Sequence, residues 1–132
     1  MWTWTRWTMT WEKHLLMASS TGVWHVEAPV NGSSSAGQLS GCALRDITGP
    51  FPSGTNRFTI GQFTLSDKRT AVLLVNDQDA LNTWPTIDVG DHVLLEIDPV
   101  HGTEAEAQDD SPGLKGLQLS IQAGDARLLV LK

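Results

Sequence analysis

This chain is poor in the residues that usually declare a chemistry. It has one cysteine, Cys42, in 132 residues. One cysteine builds neither an intramolecular disulfide nor a cysteine zinc cluster. It has 9 Lys and Arg against 15 Asp and Glu, a formal net charge of -6. Such a chain lacks the positive field that a phosphate backbone requires, so nucleic acid is excluded as an expected partner. An anionic membrane surface is excluded on the same ground. No run approaches the ~20 apolar residues of a membrane span. The first residues lack a basic segment followed by an apolar core, so they do not read as a secretory leader. The expectation is a soluble chain of one domain.

What the chain does have is tryptophan near its start. Four of its six tryptophans, Trp2, Trp4, Trp7 and Trp11, lie in the first eleven residues, with Thr in most gaps. Trp4, Trp7 and Trp11 could share a helix face. Thr and Trp nevertheless both favour strands. Two uses are open for such a row. It could be an arm whose indoles cover a sheet. It could instead be a platform stacking on sugar faces, with Trp24 and Trp84 as further members. Residues 1–22 are taken as this arm.

Residues 23–56 are weakly patterned. Val23–Val26 is a short apolar run, and Ala28–Ser40 is rich in Gly, Ser and Pro, as a connecting loop would be. Cys42–Ile47 could form a short strand. Gly49–Asn56 holds too much Pro and Gly for a regular element.

From residue 57 the pattern is that of strands. In Arg57–Leu65, Phe58 and Ile60 alternate, then Phe63 and Leu65, with a slip at Gly61 that predicts a β-bulge. Ser66–Arg69 is a charged turn. Thr70–Ile97 holds three strand-like runs, Ala71–Val75, Thr83–Val89 and His92–Ile97. Such short spacing predicts an antiparallel meander. Ala71–Val75 is apolar throughout, as in a strand buried on both faces. Pro85 lacks a ladder donor, which predicts an edge strand or a strand whose first residues lie outside the ladder. His101-Gly102 marks a hairpin tip. Leu117–Ile121 alternates, and Ala126–Leu131 is the last strand. Gly90-Asp91 and Gly124-Asp125 each precede a strand, 34 positions apart. In both, Gly allows a turn with positive φ and Asp bonds the backbone of the next strand. The expected fold is all-β, an antiparallel sandwich.

Catalytic patterns are missing. His14, His25, His92 and His101 include no pair at metal-ligand spacing. Asn76–Asn82 is rich in oxygen ligands. An EF-hand starting at Asp77 would need Gly at its sixth position and Glu at its twelfth, where Asn82 and Asp88 stand. The stretch reads instead as a solvated Asx-rich turn. Glu104, Glu106, Asp109 and Asp110 read as a solvated hairpin face rather than a paired-carboxylate site. There is no G-x-S-x-G nucleophile elbow, and Cys42 has no recognisable His partner. Gly49–Gly54 has prolines where a phosphate cradle needs backbone donors. No metal, cofactor or reaction is expected.

Five phrases in order carry a family likeness: RFTIGQF, TAVLLVN, TWPTIDV, EIDPVHGTE and DDSPGLKGLQLSIQAGDARLLVL. Together they resemble the C-terminal antiparallel β-domain that follows the catalytic barrel in large bacterial glycoside hydrolases. The likeness covers about residues 57–132. It implies an accessory β-domain, a fragment of a larger enzyme, packing on a catalytic barrel. The catalytic residues of such enzymes lie in the barrel, so none carries over to this chain. A carbohydrate-binding module, with Trp4, Trp7, Trp11, Trp24 and Trp84 as sugar contacts, is the alternative reading. A small OB- or SH3-like barrel is the third.

Overall fold

A computed structural model describes residues 18–28, 33–49, 51, 56–78, 82–98, 101–110 and 116–132. Trp2, Trp4, Trp7, Trp11 and His14 lie outside the described residues.

The described chain forms two antiparallel sheets. Its strands are β1 (Ser19–Ala28), β2 (Asp46–Thr48), β3 (Asn56–Thr64), β4 (Thr70–Asn76), β5 (Thr86–Asp88), β6 (Leu94–Ile97), β7 (Glu104–Glu106), β8 (Leu117–Gln118) and β9 (Ala126–Leu131). The larger sheet has the order β1-β3-β4-β9-β6-β7, and the smaller has β2-β5-β8. Among the described residues, neither sheet closes on itself. The all-β antiparallel sandwich is therefore the observed fold. No helix among the described residues is long and apolar enough to cross a membrane.

The three runs of Thr70–Ile97 form strands, but they do not pair with one another. β4 pairs with β3 and β9, β5 with β2 and β8, and β6 with β9 and β7. The chain thus crosses to the smaller sheet and back. The connections are long enough to span the ~10 Å between packed sheets. Hairpins remain at β3–β4 and β6–β7. Gly102, with φ of 70°, sits in the second of these turns, as His101-Gly102 predicts.

Both Gly-Asp turns have positive φ, 68° at Gly90 and 70° at Gly124. Asp125 Oδ1 accepts from Ala126 N at 2.7 Å, so it does bond the backbone of the next strand. At the first turn it is Asp88 that serves, accepting from Gly90 N at 2.9 Å. Both turns return the chain from the smaller sheet to the larger. The two β-arches also pair with each other, β5 on β8 and β6 on β9. The repeated sequence therefore builds two neighbouring crossings from the smaller sheet to the larger.

The main core lies between the sheets. Phe58, Ile60, Val72, Leu74, Leu94 and Leu129 of the larger sheet meet Ile47 and Ile87 of the smaller, with Leu119 and Ile121 beside them. A second cluster, built around Ala71, Ile97, Leu128 and Val130, uses the opposite face of the larger sheet. β4 and β9 are thus apolar on both faces, as the unbroken run Ala71–Val75 predicts.

This second cluster explains the slip at Gly61. Phe58 and Ile60 belong to the first cluster, Phe63 to the second. The pairing of β3 with β4 is unbroken from Phe58 to Thr64. The expected bulge at Gly61 is absent. The register shift lies in the neighbouring strand β1, between Ser20 and Gly22. Alternation kept its phase, and the apolar side chains changed face.

β1 crosses the expected boundary between arm and connecting segment at residues 22 and 23. It is ten residues long and pairs with β3 along its whole length. The Ser/Gly-rich stretch behind it is tied down. Asp46 accepts from Ser34 Oγ at 2.8 Å and from Ser35 N at 2.7 Å. The Gln38 amide accepts from Glu27 N at 2.8 Å and donates to Glu27 O at 3.0 Å, occupying part of the outer edge of β1.

Candidate functional site

Trp84 is the one predicted sugar contact that the described structure presents to solvent. It stands between Thr83, which exchanges both backbone hydrogen bonds with Ile121 at 2.9 and 2.8 Å, and Pro85, whose carbonyl accepts from Leu119 N at 3.1 Å. Thr83 and Pro85 are buried. The alternation turns Trp84 outward, where it is 43% exposed. Ile87 and Val89 continue the inner side. β5 is the central strand of its sheet rather than an edge. Pro85 precedes Thr86, the first residue of β5, so the second of the two positions allowed for it is the one observed.

Trp24 lies elsewhere and is engaged. It sits on β1, at the edge of the larger sheet, half-buried against the main core. Its Nε1 donates to the Ser40 carbonyl at 2.9 Å. Its ring occupies the space over Gly22, where a Cβ would meet Cη2 at 2.5 Å. Trp24 is on β1 of the larger sheet, whereas Trp84 lies on the approach to β5 of the smaller. Trp4, Trp7 and Trp11 are outside the described residues.

The surface depressions among the described residues include three. A cleft of about 340 Å³ opens between the sheets at β5, lined by Ile87, Val89, Val93, Leu94 and Leu117, with Asp88, His92 and Glu106 also lining it. A groove of about 310 Å³ gathers Glu96, Asp98, Glu106 and Asp110 around Arg127. Arg127 pairs with both oxygens of Glu96 and gives a third bond to the Ser120 carbonyl at 2.6 Å. Among the described residues, no group of three or more His, Cys, Asp or Glu side chains is placed to hold a metal.

The third groove, about 620 Å³, holds a relay that sequence reasoning missed. The Thr59 hydroxyl donates to the Asp77 carboxylate, and the same oxygen lies 3.1 Å from His25 Nδ1. Thr59 has one proton and it goes to Asp77, so His25 Nδ1 is the donor. The groove is lined by His25, Val26, Glu27, Gln38, Arg57, Phe58 and Asp77. It can orient an imidazole, but none of these residues supplies a hydroxyl or thiol for it to activate. His25 and Thr59 meet only as cross-strand partners of β1 and β3. No spacing in the sequence signals that.

The turn that resembled a calcium loop does different work. Asn76 and Gln78 are buried rather than solvated. Asn76 Nδ2 donates to the carbonyls of Ile121 and Gln122, each at 3.2 Å, and Gln78 Nε2 donates to Asn56 Oδ1 at 2.9 Å. This amide network ties the end of β4 to β3 and to the approach to β9. A one-sided polar run in sequence hides it, because Asp77 and Asn82 around it are exposed.

The Cys42 thiol is half-buried, and burial pushes its pKa up, away from thiolate chemistry. His92 and His101 lie at the surface. Compared with protein-family profiles, curated proteins and solved structures, the chain gives no match.

Proposed function

We propose that this chain is a non-catalytic accessory β-domain that packs on and stabilises a larger catalytic partner, the barrel of a glycoside hydrolase. The sequence likeness over residues 57–132 names the partner. The observation that carries the packing role is Trp84. A large indole is held outward between the buried Thr83 and Pro85, on the approach to β5, whose Ile87 lines a cleft that also includes the exposed Val93. Rigid aromatic anchors of this kind are where interface energy concentrates.

Carbohydrate binding is the second reading, and the same exposed Trp84 favours it. A platform needs two or three coplanar exposed indoles, and Trp24 is committed to Ser40 and Gly22. The two readings separate in one experiment. A panel of soluble polysaccharides is titrated while tryptophan emission and mobility in affinity gels are followed. The accessory-domain reading expects no shift with any of them. A saturable shift that disappears in W84A replaces it with the binding-module reading.

A further inference from the structure

We propose that the groove holding the His25–Thr59–Asp77 relay binds a single neutral polyhydroxy unit, such as one sugar ring, by its vicinal hydroxyls.

The groove stands on neighbouring strands of the larger sheet. Phe58 and Ile60 face the main core, so Arg57 and Thr59 between them on β3 point to the opposite side. Glu27 and His25 of β1 are their cross-strand partners. Asp77 directly follows β4, and its N–H donates to the Arg57 carbonyl at 3.0 Å. Five polar side chains thus share one face. Thr59 fixes two of them, donating to Asp77 and accepting from His25 at 3.1 Å. The polar patch is bounded. Gln38 is bonded to the backbone of Glu27 and closes the β1 side. Beside and beyond Thr59 the same face turns apolar, at Val75 and Leu73, which pack on the second cluster. Three strands span about 10 Å, room for one ring rather than a chain.

The ligand class follows from what the groove leaves open. Val26 and Phe58 also line it, but they are 1% and 0% exposed and their side chains belong to the main core. They offer a ligand no apolar surface. Asp77 spends one carboxylate oxygen on Thr59, and among the described residues the other oxygen has no hydrogen-bond partner. Nor do the Arg57 guanidinium and the Glu27 carboxylate have one among the described residues. Open acceptors and an open fork of donors therefore stand in one groove. Two carboxylates disfavour an anion, and the guanidinium disfavours a cation. A hydroxyl donates and accepts at once. Vicinal hydroxyls satisfy both kinds of group without a ligand charge to desolvate. The site is independent of the catalytic partner and of Trp84, which lies on the approach to β5 of the smaller sheet. A polysaccharide of high mass presents a free terminal unit only at its chain ends, so this groove is silent in the titration that probes Trp84.

The test is amide NMR spectroscopy of the full chain. The probes are the methyl glycosides of glucose, galactose and mannose, with glycerol, acetate and methylammonium as acyclic polyol, anion and cation. Each is added to about 10 mM, enough to occupy most of a site with a Kd of ~1 mM. The expected result is a saturable shift with a glycoside, centred on the amides of His25, Glu27, Arg57, Thr59 and Asp77. Its Kd weakens about tenfold in R57Q and in D77N, each of which removes a charged hydrogen-bonding group. It is unchanged in W84A. A matching response to glycerol supports the proposal and assigns the diol alone as the recognised group. No saturable shift with any glycoside overturns it. So does an equal response to acetate or methylammonium, or a response centred on Trp84. Should R57Q or D77N disturb the fold, the wild-type shift map decides alone.

Discussion

The benzenoid edge of the Trp24 indole fills the space where a Cβ on Gly22 would stand, 2.5 Å from Cη2. The same arrangement recurs at Gly49 with Phe51 and at Gly61 with Phe63, where a Cβ would meet the ring at 2.9 and 3.2 Å. In each case an aromatic two residues on folds back over a glycine. On β1 and β3 this restores packing at positions that glycine would otherwise weaken. G22A is therefore expected to destabilise by about 1–3 kcal/mol through overpacking. Urea unfolding gives the magnitude, and a changed near-UV dichroism signal reports the displaced indole. W24F keeps an aromatic ring there and loses the bond to Ser40, for about 1 kcal/mol.

Much of the sandwich was legible because β3, β4, β6 and β9 carry clear period-two or unbroken apolar patterns. The turns at Gly90, Gly102 and Gly124 were legible because positive φ selects glycine. Three things were not. The partner of a strand is a long-range choice, so the alternation of β4, β5 and β6 between sheets leaves no local mark. β1 is hidden because its outward side mixes Val23 with His25 and Glu27 and its inward side includes a glycine covered by Trp24. The His25–Thr59–Asp77 relay and the Asn76–Gln78–Asn56 network join residues that meet only once the strands are paired.

Gly124 and Lys68 make a complementary pair of backbone tests. Gly124 has φ of 70°, and a Cβ there would meet no atom within 4 Å, so G124A isolates the backbone cost. About 1–2 kcal/mol is expected. Lys68 already sits at φ of 74°. K68G relieves that conformation and is expected to raise stability by up to about 1 kcal/mol, net of the extra freedom glycine gains in the unfolded chain. Both are read from urea midpoints. Equal destabilisation by the two changes would contradict this account of the turns.

The acid limb of stability should carry a mark of the β3–β4 turn. The backbone N–H of Arg69 holds the Asp67 carboxyl below its ordinary value of 3.8, with the Arg69 guanidinium adding to it. The Arg69 guanidinium is held charged, above all by Glu104. A carboxyl depressed by folding stabilises above its unfolded pKa and loses that contribution as the pH falls through its folded value. Stability attributable to Asp67 is thus present at neutral pH and lost below about pH 4. D67N should flatten the stability profile in that acid range. Its effect should be small, because the group is exposed. An unchanged acid limb in D67N would remove Asp67 from the explanation.

The accessory-domain reading is tested most directly by association with a catalytic barrel. A glycoside hydrolase barrel expressed without its own C-terminal β-domain is mixed with this chain, and co-elution and the barrel's melting temperature are measured. The account predicts a complex that raises the barrel's melting temperature, and a W84A variant that loses both effects while keeping its own fold. Separate elution with an unchanged melting temperature, together with a saturable Trp84 response to a polysaccharide, would contradict it.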